Sequence, residues 1–292
     1  MRYKVDHDYH IHSQISLCSK HPEQTPARIL QYAEENGLER ICLTDHFWDD
    51  NAPGMPDQFR DREYDPYGPR EKIADRGIST ARWYRMQNYA HISRSLPLPK
   101  SEKVDFMFGA ETELQHDLKL GMTRERLDQL DFVIIPTTHF HMGCLTLTEE
   151  QRASLEGRAQ AWLTRLEGVL DMDLPFGKIG IAHLACSLVA GTQEDRVKVM
   201  QLLDEQEMER VFAKAARVGV GIELNMFDMS DAIKGDTDIL LRPFRIAKAQ
   251  GCRFYLGSDA HQPKEFAYMR EIFERAVELL DLTENDKFHI SK

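Results

Sequence analysis

His10 and His12 stand two residues apart in the run Asp8-Tyr9-His10-Ile11-His12-Ser13, so an extended strand carries both imidazoles to one side. Two rings converging from one strand make half of a metal site. Candidates for the other half are spread along the chain: Asp45-His46, Glu111, His139, His183 and Asp259-Ala260-His261, each following a short apolar run. Imidazole with carboxylate is a ligand set for zinc, manganese or iron. One histidine at a strand end is most simply a core or surface residue. His10, His12, His46, His139, His141, His183 and His261, together with Glu111 and Asp259, are not explained that way, because unrelated structural histidines need not share one strand end.

Such a cluster suits hydrolysis of a phosphate monoester. Two or three cations neutralise the phosphoryl oxygens and lower the pKa of a bridging water, and the resulting hydroxide attacks phosphorus in line. No protein nucleophile is needed, and neither a G-x-S-x-G elbow nor a P-loop is present. A dianionic substrate calls for arginine. Arg82 and Arg85, with Arg70, are the candidates, and Trp83 and Tyr84 offer rings for stacking. His141 either contacts substrate or sits beside His139 on the opposite strand face.

The elements that must position these residues form a repeat. After the first strand and a loop over 13–24, Thr25-Pro26 opens a helix as N-cap and first-turn proline, and Gly37 closes it. Arg40-Ile41-Cys42-Leu43-Thr44 is a second strand, delivering Asp45-His46. Strand–helix–strand in so few residues implies parallel pairing. Further strands are predicted at 104–110, 131–136, 178–182, 218–224 and 252–257, for seven in all. Helices are predicted from the capping-box spacing at Thr148 to about 170, over 192–217, over 238–250, and from Pro263 onward. Residues 47–103, rich in Asp, Arg, Pro, Tyr and Trp, break the repeat and read as an insertion, with a helix-compatible piece at 79–94 and a possible role as a substrate lid. With no linker or internal repeat, residues 1–292 read as one domain. The expectation is an α/β fold, a parallel barrel of seven strands with its ligands at the carboxyl ends.

The chain has 292 residues, 42% hydrophobic and 29% charged, enough for a sizeable core. Its formal charge of −11 argues against a long nucleic acid or an anionic membrane as partner, though not against a small anionic substrate held by cations. Five scattered cysteines, and an N-terminus that runs straight into a charged strand, fit a cytoplasmic protein with reduced thiols. No apolar run is long enough to span a bilayer.

Asp8-Tyr9-His10-Ile11-His12-Ser13, Leu43-Thr44-Asp45-His46, Gly109-Ala110-Glu111, Thr138-His139-Phe140, Ala182-His183 and Gly257-Ser258-Asp259-Ala260-His261, in this order over almost the whole chain, resemble the polymerase and histidinol phosphatase (PHP) family, and within it the histidinol-phosphatase-like branch. The resemblance implies a distorted (β/α)7 barrel holding two or three divalent ions. It places His10, His12, Glu111 and Asp259 around one ion, and Glu111 with His139 and His183 around a second. A third ion would take His46, His261 and a loop histidine, here His21, with Cys18 a bystander. Asp45 would orient the adjacent loop or a ligand ring. Glu111, Asp259 and His261 would be catalytic, and the expected substrate is a small phosphate ester, histidinol phosphate first, in histidine biosynthesis. Another phosphate ester or a short nucleotide is the alternative, and a metal-binding regulatory domain is the non-enzyme alternative. An amidohydrolase would want a lysine where the third and fourth strands end in Glu111 and His139.

Overall fold

The computed structural model describes residues 1–19, 21–52, 86–235 and 237–291. Arg70, Arg82, Trp83, Tyr84 and Arg85 lie outside them, as does the 79–85 part of the predicted 79–94 helix; of that helix, Tyr89–Ile92 is present.

Among the described residues there are nine strands: β1 (His7–Ile11), β2 (Arg40–Leu43), β3 (His46–Phe47), β4 (Asp105–Phe108), β5 (Ala110–Thr112), β6 (Val133–Pro136), β7 (Ile179–Ala182), β8 (Gly221–Asn225) and β9 (Arg253–Gly257). All named pairs are parallel, in a sheet ordered β1-β2-β4 and a second ordered β3-β5-β6-β7-β8-β9. The second and third predicted strands are each interrupted, at Thr44-Asp45 and at Gly109, and so contribute to both sheets. Side chains cause the first break. Thr44 Oγ1 accepts the N–H of Ile11 at 3.1 Å, and Asp45 is taken up by Ser13. At the second, a Cβ on Gly109 would drive into the Phe132 carbonyl.

The result is an α/β fold of parallel sheets flanked by helices, in which the described residues do not form one continuous ladder around a closed barrel. β1 and β9 belong to different sheets, and β1 meets the segment just after β9 through an Ile11–Ala260 bridge, supported by His12 N–H to Ala260 O at 3.1 Å and Asp259 N–H to His10 O at 2.7 Å. Two buried clusters lie on opposite sides of the strands. The larger packs strand residues such as Ile41, Ile135 and Ile222 against helix residues such as Trp162, Phe212 and Phe273. The smaller joins Tyr9, Cys42, Met107, Ile134, Ala182 and Tyr255 from strands with Phe132 and Phe288, and no helix contributes to it.

Several helices differ from their predicted extents. The segment from Thr148 divides into Glu149–Ala153 and Leu155–Leu170, because Ser154 is extended and caps the second helix itself. The 192–217 region divides into Gln193–Leu202 and Glu205–Val218, where Leu203 and Asp204 are extended and Asp204 is the new N-cap. Pro263 opens a 3-10 turn before the last helix, Met269–Leu279. Helix Met226–Lys234 was not predicted. It starts directly from β8, with the Asn225 side chain capping the N–H groups of Phe227 and Asp228. No helix among the described residues is long and apolar enough to cross a membrane.

Candidate metal centre

The candidate ligands lie in or just after the strands, with His10 in β1, His46 opening β3, Glu111 in β5, and His139, His183 and Asp259 following β6, β7 and β9; β1 shows how the chain aims them. From Asp8 to Ile11 the strand advances three residues while its partner β2 advances two, from Ile41 to Leu43. The extra residue is a β-bulge. Tyr9 packs into the helix-free cluster and Ile11 into the helix-lined one, so the alternation reverses between them. Asp8 braces the irregularity, its Oδ1 accepting the N–H of His10 at 3.3 Å and of Ser258 at 2.9 Å. Burial pushes the Asp8 carboxyl up to about 7 against those hydrogen bonds.

Glu111, on β5, lies at the centre. It is buried, and neither carboxylate oxygen makes a hydrogen bond of acceptable geometry among the described residues. Ring nitrogens surround it instead. His46 Nδ1 is 2.9 Å from Oε2, with His12 Nε2 at 3.4 Å and His10 Nε2 at 3.5 Å; His183 Nε2 and His139 Nε2 are 3.5 and 3.7 Å from Oε1. Asp259 faces the same space, with Oδ1 3.2 Å from His12 Nε2 and Oδ2 3.7 Å from His183 Nε2. The donor atoms fall into three overlapping groups able to hold an ion: His10/His12/Glu111, His10/His183/Asp259 and Glu111/His139/His183. A buried carboxylate left without hydrogen bonds among imidazoles fits divalent cations.

The far nitrogens of these rings are engaged in a way that fixes the near ones. Glu223 Oε1 holds His10 Nδ1 at 2.6 Å, and Glu113 Oε2 holds His139 Nδ1 at 2.9 Å. Each ring then turns Nε2 inward, the arrangement metal-bound histidines adopt. The other Glu223 oxygen accepts the His183 N–H at 3.1 Å. His183 and Asp259 both have left-handed backbone, φ +64° and +53°, an uncommon state for residues other than glycine that concentrates at functional sites. Buried Arg165 ties the neighbouring turns together by donating to the carbonyls of Thr137, Gln115, Thr146 and Leu114 at 2.6–3.1 Å.

Charge in this cluster is strongly coupled. Burial opposes a proton on His10, but Glu223, Asp259 and Glu111 overcome it and hold the ring well above the ordinary histidine range. Burial also opposes charge on Glu111, yet His46 and His10 hold it well below the carboxylate range. The carboxylates therefore require positive charge beside them. Ring protons and metal ions compete for that role, so acid favours metal release.

Among the described residues His21 belongs to none of the candidate groups, and its Nδ1 accepts the local Glu23 N–H at 3.4 Å. Cys18, on the same loop, forms a group with His12, His46 and His261 whose donor atoms all lie within 4.8 Å of one another. Asp45 anchors this loop, accepting both the N–H and the hydroxyl of Ser13 at 2.7 Å. His261 directs Nδ1 to the Asp259 carbonyl at 2.6 Å. His141 is exposed, its ring edge-on to His139 with centroids 5.2 Å apart.

Glu113 and Glu223 are the members of this arrangement that the sequence reading did not single out, and Cys18, read there as a bystander, lies in a candidate group. Glu113 stands two residues after Glu111, the same spacing as His10 and His12, and Glu223 is the lone acid in an otherwise apolar strand. Both signals were present.

These features define a class: parallel α/β proteins with a buried histidine–carboxylate cluster at the strand ends. Among solved structures, the chain resembles histidinol phosphate phosphatase from Lactococcus lactis subsp. lactis Il1403, complexed with zinc, L-histidinol and phosphate, at 17% identity and TM-score 0.50, covering 93% of each chain. It also resembles the putative histidinol phosphatase from Listeria monocytogenes at 15% identity and TM-score 0.54, covering 89% of this chain and 97% of that one. No family model and no curated protein matches the sequence. At these identities the likeness is one of fold.

Proposed function

We propose that this chain is a metal-dependent phosphatase of the PHP type, built as a distorted seven-stranded barrel in a single domain, that hydrolyses a small phosphate monoester, histidinol phosphate first among candidates. The observation that carries the proposal is Glu111, a buried carboxylate whose oxygens have no hydrogen bond of acceptable geometry among the described residues and are ringed by the nitrogens of His10, His12, His46, His139 and His183. Fold likeness to a phosphatase complexed with zinc, L-histidinol and phosphate supports both zinc and the substrate class.

His10, His12, Glu111 and Asp259 would hold one ion, and Glu111, His139 and His183 a second. Bound divalent cations neutralise phosphoryl oxygens and lower the pKa of water. The chain's own part is positional. Glu223 and Glu113 fix the rings of His10 and His139, and Glu111 joins the two ligand sets. Asp259 and His261 are the members of the cluster open to solvent, with side chains 14% and 25% exposed, whereas Glu111 is 1% exposed. Proton delivery to the departing alkoxide falls to that pair. His141, exposed beside His139, is placed to meet a substrate.

The test is phosphate release from histidinol phosphate, other small monoesters, a diester and a dinucleotide, with zinc, manganese or iron, beside a His10→Ala/His12→Ala variant. Release from histidinol phosphate that disappears in the variant is expected. Hydrolysis of other monoesters alone would keep the chemistry and replace the substrate. No hydrolysis with any metal would overturn the proposal.

A further inference from the structure

We propose that Cys18 supplies a thiolate donor to a third ion held by His46 and His261, so that the centre combines nitrogen–oxygen sites around Glu111 with one chemically distinct nitrogen–sulfur site. The inference rests on the chain binding metal at the Glu111 cluster and adds a different type of site beside it.

The thiol is held in place. Leu17 N–H donates to Gln87 Oε1 at 3.0 Å, the His91 ring contacts Ile15 O at 2.7 Å, and the Ser19 hydroxyl donates to the carbonyl of His261 itself. Ser16 Oγ lies 3.0 Å from Cys18 Sγ and 3.5 Å from His12 Nδ1, linking the thiol to the ring that packs between His46 and His261. That ring stacks on His261 at 4.3 Å and tilts against His46 at 4.6 Å. Three loop attachments and a hydroxyl contact thus bring one sulfur to a face made of imidazoles. Cys18 is half-buried, while Cys42 and Cys252 are buried in the core.

Coordination would form an S–metal bond as the thiol proton leaves to solvent. A soft thiolate favours zinc or cobalt over manganese, whereas carboxylate-rich sites accept manganese. The sites around Glu111 and the Cys18 site should therefore load unequally.

The experiment loads metal-free protein with cobalt(II), zinc or manganese(II), counts ions by elemental analysis and records the near-ultraviolet spectrum of the cobalt form. Wild type is compared with Cys18→Ser, Cys18→His and, because Cys186 lies beside His183 and Asp228, Cys186→Ser. A sulfur-to-cobalt charge-transfer band is expected in wild type and Cys186→Ser, and absent from Cys18→Ser and Cys18→His. Zinc content should fall by about one ion per chain in Cys18→Ser and return in Cys18→His, which also controls for folding. Wild type should take up about one manganese fewer than zinc. A cobalt-loaded wild type without the band, a band surviving Cys18→Ser, or unchanged zinc content in Cys18→Ser would overturn the assignment while leaving the Glu111 sites standing. Wild type that retains no metal would overturn this inference and the proposed function together.

Discussion

Glu223 and His10 are joined by a contact of 2.6 Å between Oε1 and Nδ1, both side chains fully buried, while the other oxygen of Glu223 receives the backbone N–H of His183. One carboxylate therefore orients two candidate ligands from different strands.

Replacing it tests that role without touching a ligand. Glu223→Gln keeps the shape and gives up the charge, and metal affinity is expected to fall about 10- to 100-fold. Titration of metal-free protein with zinc against a competing chelator measures this. Unchanged affinity would show that the carboxylate does not set the His10 ring.

Gly257 makes room for the same pair. A Cβ there would drive into Glu223 Oε1 and come within 2.7 Å of His10 Cβ. Gly257→Ala should displace both side chains and cost about 1–3 kcal/mol of stability, as overpacking does. Urea unfolding reads the stability, and a loss of zinc affinity alongside it is the second expected effect. A variant with wild-type stability and affinity would mean that the pocket relaxes around the methyl group.

Removing metal should destabilise the fold, since ions that bind only the folded state add stability by mass action. At a free concentration 100 times the dissociation constant, each site contributes about 2.7 kcal/mol. A chelator should lower the melting temperature and added zinc should restore it. Identical melting with and without chelator would argue against tight sites in the folded chain.

Asp6 predicts a separate pH dependence, away from the centre. Burial raises its pKa, but hydrogen bonds from His7 and Lys287 dominate and leave it well below the usual carboxylate range; Lys287 Nζ is 2.9 and 3.1 Å from its oxygens. A carboxyl whose pKa is lower folded than unfolded adds stability above its unfolded value, about 4, and loses it as the pH falls through the folded value. In metal-free protein, Asp6→Asn should be less stable than wild type by about 1 kcal/mol at pH 7, with the gap closing in strong acid. A gap that persists in acid would assign the effect to packing.

The parallel α/β order and the candidate ligand types near strand ends were legible in the chain because both are local signals: short apolar runs, capping residues such as Thr25 and Thr148, and a histidine or carboxylate after each run. His10 and His12 were read as a pair from spacing alone, though their aim depends on a bulge that spacing does not reveal. Glu113 and Glu223 were visible as charges but not as partners, because Glu223, 213 residues from His10, becomes its neighbour only when β9, paired with Glu223's own strand β8, comes beside β1.

By itself, the sequence determined which residue types were available and at which strand ends they would emerge. Tertiary structure decided which of them share a cavity. His21 and Cys18 lie on the same loop, three residues apart, and the family resemblance implies the histidine as a ligand. Anchors from Asp45, Gln87, His91 and the His261 carbonyl fold that loop so that sulfur, not imidazole, reaches His46 and His261. A loop without periodicity takes its shape from the contacts that hold it, and those come from segments far along the chain.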